Sequence, residues 1–169
     1  MELDSFLPPG PTSVLLVLDH LEDPQNLATL LRTGEAVGIE GVIIPERRSA
    51  GITPAVVNAS AGAVEHLRIA LVTNLGRAVD ELQEAGYWAI ALEPGPQAQS
   101  LFVAPLPRPL LLMVGSEGRG LSPILVRRAD VQVMIPMFGR ITSLNAAVAG
   151  SIALYEIVRR ELVSEMSTG

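Results

Sequence analysis

The sequence predicts an α/β domain built on a mainly parallel sheet. Short runs rich in Val, Ile and Leu alternate with longer stretches of helical period, a β-α repetition that calls for a parallel sheet covered by helices. The length of 169 residues suits one domain, and a chain of that size buries roughly 70% of the surface it would expose unfolded. Hydrophobic residues make up 49% of it, enough for a core.

The elements follow in order. Residues 1–12 hold Pro8, Pro9 and Pro11 around Gly10 and read as a leader or linker remnant ahead of a domain at 13–169. Residues 14–18 read as a buried strand. Residues 24–37 read as a helix, with Asp23 as N-cap, Pro24 at the first position and Gly38 as its stop. A strand is expected at 42–44, a short Thr-Pro-capped helix at 53–61 and a strand at 69–72. Asn74 caps a helix at 75–85 that Gly86 closes, and a strand follows at 87–92. Residues 94–109 contain five of the 13 prolines and predict an irregular connection with one short strand near Phe102. Then come a very apolar strand at 110–114, a short helix at 122–128 and a strand at 131–135. The last helix is expected to begin near Thr142 or Ser143, carrying Leu144, Val148, Ile152, Tyr155 and Leu162 at helical spacing. Gly150 inside it costs about 1 kcal/mol relative to Ala, so close packing on another helix or a ligand is its expected reason.

Composition excludes several classes. Without cysteine there are no disulfides or thiolate metal sites, which fits a cytoplasmic protein. His20 and His66 are too few for a histidine metal site, and no metal is expected. The nucleophile-elbow pattern of a Ser-His-Asp hydrolase is missing. No apolar run is long enough to span a bilayer, and no secretory signal is present, so no membrane role is expected. The net charge of −6 argues against a generic nucleic-acid binder, yet all twelve basic residues are arginine and a local basic face remains open to Arg32, Arg47, Arg48, Arg119, Arg127, Arg128 and Arg140.

Three segments carry chemical potential. The first is Asp23-Pro24-Gln25-Asn26-Leu27-Ala28-Thr29-Leu30-Leu31-Arg32-Thr33, which opens a helix after a strand. Alone it also reads as a helix start with a solvated arginine. The second is Val114-Gly115-Ser116-Glu117-Gly118-Arg119-Gly120, where three glycines in six residues let a ligand approach the backbone, or simply make a turn. It fits neither the dinucleotide nor the P-loop fingerprint. The third is Ile135-Pro136-Met137-Phe138-Gly139-Arg140-Ile141-Thr142-Ser143-Leu144-Asn145, which leads into a helix N-terminus with its free N–H groups, or only caps it. Each lies at the carboxyl end of a predicted strand, the edge where open parallel sheets bind ligands. Together they predict a small-molecule or nucleotide pocket.

The three segments together closely resemble the three motifs of the SpoU (TrmH-like) branch of the SPOUT RNA 2′-O-methyltransferases. Asn26 through Arg32 with Gly38 resembles the first, Val114-Gly115-Ser116-Glu117-Gly118 the second, and Ile135-Pro136-Met137 with Ser143-Leu144-Asn145 the third. The stretches 48–54, 60–65 and 72–75 look most like the RlmB-type subgroup, which methylates a guanosine 2′-hydroxyl of 23S rRNA; the TrmH type, acting on a tRNA guanosine, is the runner-up. The resemblance implies a Rossmann-like sheet with a C-terminal deep trefoil knot, S-adenosyl-L-methionine as cofactor, RNA (rRNA or tRNA) as partner, and a homodimer whose active site is completed across the interface. It implies catalytic roles for Asn26, Arg32, Glu117, Ser143 and Asn145. Gly115, Ile135, Met137 and Leu144 would line the cofactor pocket, with Leu92 and Glu93 as further candidates. A non-catalytic RNA-binding or assembly protein of the same fold is the alternative from another class; retention of the five catalytic candidates favours the enzyme. RlmB-type proteins usually carry an added N-terminal RNA-binding domain; the expectation is that residues 1–12 are what remains of its linker, or that the natural protein is short.

Overall fold

A computed structural model describes residues 2–168. Seven strands form one sheet: β1 (Val14–Asp19), β2 (Gly41–Pro45), β3 (Arg68–Val72), β4 (Trp88–Leu92), β5 (Gln99–Ser100), β6 (Leu110–Gly115) and β7 (Val131–Met134). Their order is β3-β2-β1-β6-β4-β7-β5, and every pairing is parallel. Five α-helices cover it: α1 (Pro24–Ala36), α2 (Pro54–Ala59), α3 (Leu75–Ala85), α4 (Pro123–Arg128) and α5 (Ala146–Thr168).

Alternation along the strands divides the core in two. Leu16 and Leu18 of β1 and Leu112 and Val114 of β6 pack with Leu27, Leu30 and Leu31 of α1 and Leu154 and Ile157 of α5. Their neighbours Leu15, Val17, Leu111 and Met113 face the other way, onto Val79 and Leu82 of α3 and Leu125 of α4. Because both faces are covered, β1 and β6 are buried along their whole length, which is why they read as unbroken apolar runs.

The topology departs from a simple β-α series at one place. After β3 the chain crosses back through α3 to form β4, leaving a gap one strand wide beside β1. The later strand β6 fills that gap, in register Val14↔Leu110 on one side and Trp88↔Leu110 on the other. β7 likewise enters between β4 and β5. Two late strands are therefore inserted among earlier ones, and the loops leaving β6 and β7 emerge beside the ends of β1 and β4.

Three predicted caps hold. Asp23 accepts from the Gln25 N–H at 2.8 Å, Thr53 from Val56 at 3.3 Å and Asn74 from Arg77 at 3.0 Å. Two expectations need correction. The last helix starts at Ala146 rather than near Thr142 or Ser143, because Asn145 is its cap: the Asn145 Oδ1 accepts from the N–H groups of Ala147 at 2.9 Å and Val148 at 3.1 Å. The short strand of the proline-rich connection is at Gln99–Ser100, not near Phe102. Beyond Ser100 the chain curls into a turn, with Val103 and Ala104 N–H donating to the Ser100 carbonyl, and Phe102 is left exposed.

Near the start of the chain, Leu3–Phe6 forms a 3₁₀ turn that docks Phe6 against Gly41 of β2, where a side chain would collide with the ring. The Tyr87 hydroxyl donates to the Phe6 carbonyl at 2.9 Å, and the Arg68 guanidinium lies 4.7 Å from the ring centre. Among the described residues no helix is long and apolar enough to cross a membrane.

Candidate active site

The site forms where β6 leaves the sheet. Gly115 is its last residue, and the chain folds straight back through a bridge between Ser116 and Gly120. The fold-back is so tight that a Cβ on Gly115 would lie 2.1 Å from the Gly120 carbonyl carbon. Gly118 and Gly120 both take positive φ, at 78° and 70°, conformations that favour glycine. Carboxylates from both flanking strands hold the loop. Glu93, just past β4, accepts from the Leu121 N–H at 2.9 Å. Asp19, buried at the end of β1, accepts from the Ser122 N–H at 2.7 Å. A charged residue closing a wholly buried strand was the signal for Asp19, which the sequence reading passed over.

A side-chain relay then ties the three segments together. The Asn26 Nδ2 donates to the Glu117 Oε1 at 2.7 Å, and the Asn26 Oδ1 accepts from the Asn145 Nδ2 at 2.9 Å. Asn26 is buried in the first turn of α1, and both ends of its amide are hydrogen-bonded, the nitrogen to Glu117 and the oxygen to Asn145. Asn145 is pinned in turn by capping α5. The relay sets Glu117 and Asn145 at the border of one cleft.

That cleft has a volume of about 410 Å³, within the range of small-molecule sites. Val114, Leu92, Ile135 and Leu144 give it apolar walls, while Glu93, Gly115, Glu117, Met137, Ser143 and Asn145 add backbone and polar groups. Thr142, Arg119, Ala146 and Ala149 also line it; the sequence placed Thr142 and Arg119 in the third and second segments without assigning them to the pocket. The two alanines lie in the small-residue half of α5, the only cue the sequence offered for them. Close approach has a second consequence there: a Cβ on Gly150 would meet the Leu30 Cδ2 at 2.6 Å, so α5 lies tight on α1.

Asn26 stands behind the cleft rather than in its wall. Arg32 is not brought to it. Six residues along α1 amount to about 120° around the axis and about 9 Å of rise from Asn26. Arg32 is exposed there, and its side chain makes no hydrogen bond or ion pair among the described residues.

With this geometry in hand, comparison with known proteins is decisive: the SpoU rRNA methylase family model matches residues 13–155. The chain belongs to the SpoU rRNA methylase family. A Staphylococcus haemolyticus protein assigned to the TrmH family of tRNA/rRNA methyltransferases is 44% identical over 148 residues, covering 88% of this chain and 59% of the relative. The Bacillus subtilis protein YacO, of the same assignment, is 41% identical over 145 residues, covering 86% and 58%. The chain thus spans about three-fifths of the length of the curated relatives it matches. Among solved structures, the AdoMet-bound rRNA methyltransferase of Sinorhizobium meliloti superposes with a TM-score of 0.87 at 29% identity, covering 95% of this chain and 60% of that one. The matched range 13–155 contains all three segments singled out in the sequence; the second and third line the cleft, and the first reaches it only through Asn26.

Proposed function

We propose that the chain is the catalytic domain of an S-adenosylmethionine-dependent RNA 2′-O-methyltransferase. The observation that carries this reading is the Glu117–Asn26–Asn145 relay, which joins all three SpoU-like segments behind a cleft that the second and third of them line. A structural relative described as an RNA 2′-O ribose methyltransferase, 32% identical with a TM-score of 0.80, supports it. The SpoU methyltransferase AviRb of Streptomyces viridochromogenes, solved with AdoMet, supports the cofactor.

The cleft's residues fit such a group. Leu92, Ile135 and Leu144 offer the apolar surface an adenosyl moiety needs, and the strand-end backbone of 115–120 offers its polar contacts. The bound cofactor supplies a methyl group on a sulfonium. Ser143 and Asn145 orient the reacting groups from the α5 entrance, and Glu117 is itself oriented by Asn26. The ribose hydroxyl is a weak nucleophile, so it needs orientation and charge stabilisation. Arg32 fits that role as a fixed cation, since arginine stays protonated in proteins.

Arg32 lies away from its own cleft, and this favours a homodimer in which it serves the partner's. Val148, Tyr155 and Leu162 leave an exposed apolar row on α5 that a second copy would cover. The insertion of β6 between β1 and β4 suits the deep trefoil knot of the SPOUT fold. The substrate we favour is a guanosine of 23S rRNA. A tRNA is the second reading, favoured by the A. aeolicus TrmH/SpoU tRNA modifying enzyme, of which this chain covers 84% at 27% identity and a TM-score of 0.83. Methylation of 23S rRNA and tRNA transcripts with labelled cofactor tests the reading. Incorporation into rRNA is expected; incorporation into tRNA alone selects the second reading, and none into either, with no S-adenosylhomocysteine binding by calorimetry, refutes both.

A further inference from the structure

The arginines of this acidic chain are sorted by place. Arg68, Arg77, Arg108, Arg128, Arg159 and Arg160 are ion-paired to carboxylates. Among the described residues, the side chains of Arg32, Arg47, Arg48, Arg119, Arg127 and Arg140 have no ion pair or hydrogen bond. Of these six, Arg47 and Arg48 follow β2, Arg119 follows β6 and Arg140 follows β7, all at the carboxyl edge of the sheet. Of the paired arginines, Arg68 and Arg108 lie at the opposite edge, Arg128 ends α4, Arg77 is in the first turn of α3, and Arg159 and Arg160 lie in the body of α5. Free positive charge is therefore concentrated on the loops around the cleft.

Beside that cleft lies a second one of about 380 Å³, on the other side of the 116–120 loop. Arg48, Arg119, His20 and Glu22 line it, with Asp19 and Ser122 at its base. Asp19 is buried and fixes His20 by a 2.6 Å contact to Nδ1, which leaves Nε2 without a protein partner. His20 and Arg48 both sit in the left-handed backbone region, at φ of 59° and 57°, where non-glycine residues are strained. Such strain gathers at functional sites. Of the cleft's carboxylates, Asp19 and Glu117 are already hydrogen-bonded; Glu22 at the rim is not, and suits an N–H on a base edge.

We propose that this second cleft is a nucleotide subsite for the RNA substrate, in which Arg48 and Arg119 hold a backbone phosphate and the Asp19-anchored His20 contacts the same nucleotide. The inference rests on the RNA reading above. Unpaired guanidinium groups keep their full charge for phosphate oxygens, and the shared 116–120 wall places this nucleotide next to the methyl-transfer cleft.

The test is anisotropy of labelled tRNA and 23S rRNA-fragment transcripts over a salt series. The variants are Arg48→Gly, Arg119→Ala and His20→Gly, glycine being chosen where φ is positive, with Arg127→Ala as a free arginine outside the cleft. Arg48→Gly and Arg119→Ala should each weaken binding about tenfold and lower the salt slope by about one. Arg127→Ala should leave both near wild type, and Arg48→Gly should bind S-adenosylhomocysteine as tightly as wild type. The His20 contact is upheld if His20→Gly weakens binding with unchanged thermal stability, and overturned if affinity is unchanged. Wild-type affinity and slope in the Arg48→Gly/Arg119→Ala double variant overturn the subsite. Failure of the wild-type chain to bind either transcript overturns the RNA reading and the subsite with it.

Discussion

Asn26→Asp is nearly isosteric and tests the relay at the heart of the site. The Asn26 amide donates to the Glu117 carboxylate at 2.7 Å. Replacing the amide nitrogen by oxygen sets two carboxylates against each other at that distance. With charges about 3.5 Å apart and an effective dielectric of about 20, their repulsion is about 5 kcal/mol. Protonating one at pH 7 costs about 4 kcal/mol instead, since an ordinary carboxyl titrates near 4 and each pH unit is worth about 1.4 kcal/mol. The smaller figure sets the ceiling. Glu117 is half-buried, so solvent screening lowers the expected penalty to about 2–3 kcal/mol. The folded-state pKa of the variant pair is raised above its unfolded value. The penalty is therefore full above about pH 6, shrinks as pH falls through that raised value, and vanishes near pH 4, where the unfolded chain also takes up the proton. Urea denaturation of wild type and variant at about pH 8 and pH 5 measures it. A stability difference that stays constant between the two refutes the claim that the amide's role is to hold Glu117.

Gly115→Ala should lose cofactor binding in calorimetry and destabilise the fold by about 2–3 kcal/mol, because the new Cβ meets the backbone of residue 120, which cannot swing aside as a side chain would. Tyr87→Phe should cost about 1 kcal/mol at pH 7 by removing the buried hydroxyl's bond to the Phe6 carbonyl. Burial also pushes the Tyr87 pKa up to about 12, so wild type should lose stability as pH rises from about 10 toward 12 while Tyr87→Phe shows less of that slope in alkaline melts. Glu156 is buried on α5, and its hydrogen bond from Arg159, aided by Arg160, holds its carboxyl below the usual carboxylate value. That stability is present above the unfolded pKa and lost as pH falls through the lower folded one, so Glu156→Gln should flatten the acid limb of a stability profile below about pH 4.5.

Much of the sheet was legible because its signals are local. β1 and β6 are buried on both faces, and their unbroken Val-Leu runs say so. Asp23, Thr53 and Asn74 announce helix starts because a cap is a contact within three residues. Asn145 was misread for a related reason: Thr142 and Ser143 are equally good caps by residue type, and what selects Asn145 is its second bond to Asn26, 119 positions away. The position of β6 between β1 and β4 has no local signal at all, since periodicity carries strand identity and not strand order. The same limit hid Asp19 and the second cleft, which exist only because the ends of β1, β2 and β6 come together. The site was legible as three segments; that Arg32 stands apart from the other two was not, because it depends on where α1 turns its faces.

The central claim is tested most directly by digesting RNA methylated with labelled S-adenosylmethionine to nucleosides and identifying the modified one by mass spectrometry. The prediction is a 2′-O-methylated nucleoside with wild type, and its loss with Arg32→Ala, a variant that keeps S-adenosylhomocysteine binding and wild-type stability because Arg32 is exposed and unpaired. A methyl group on the base, or full activity in Arg32→Ala, would contradict it.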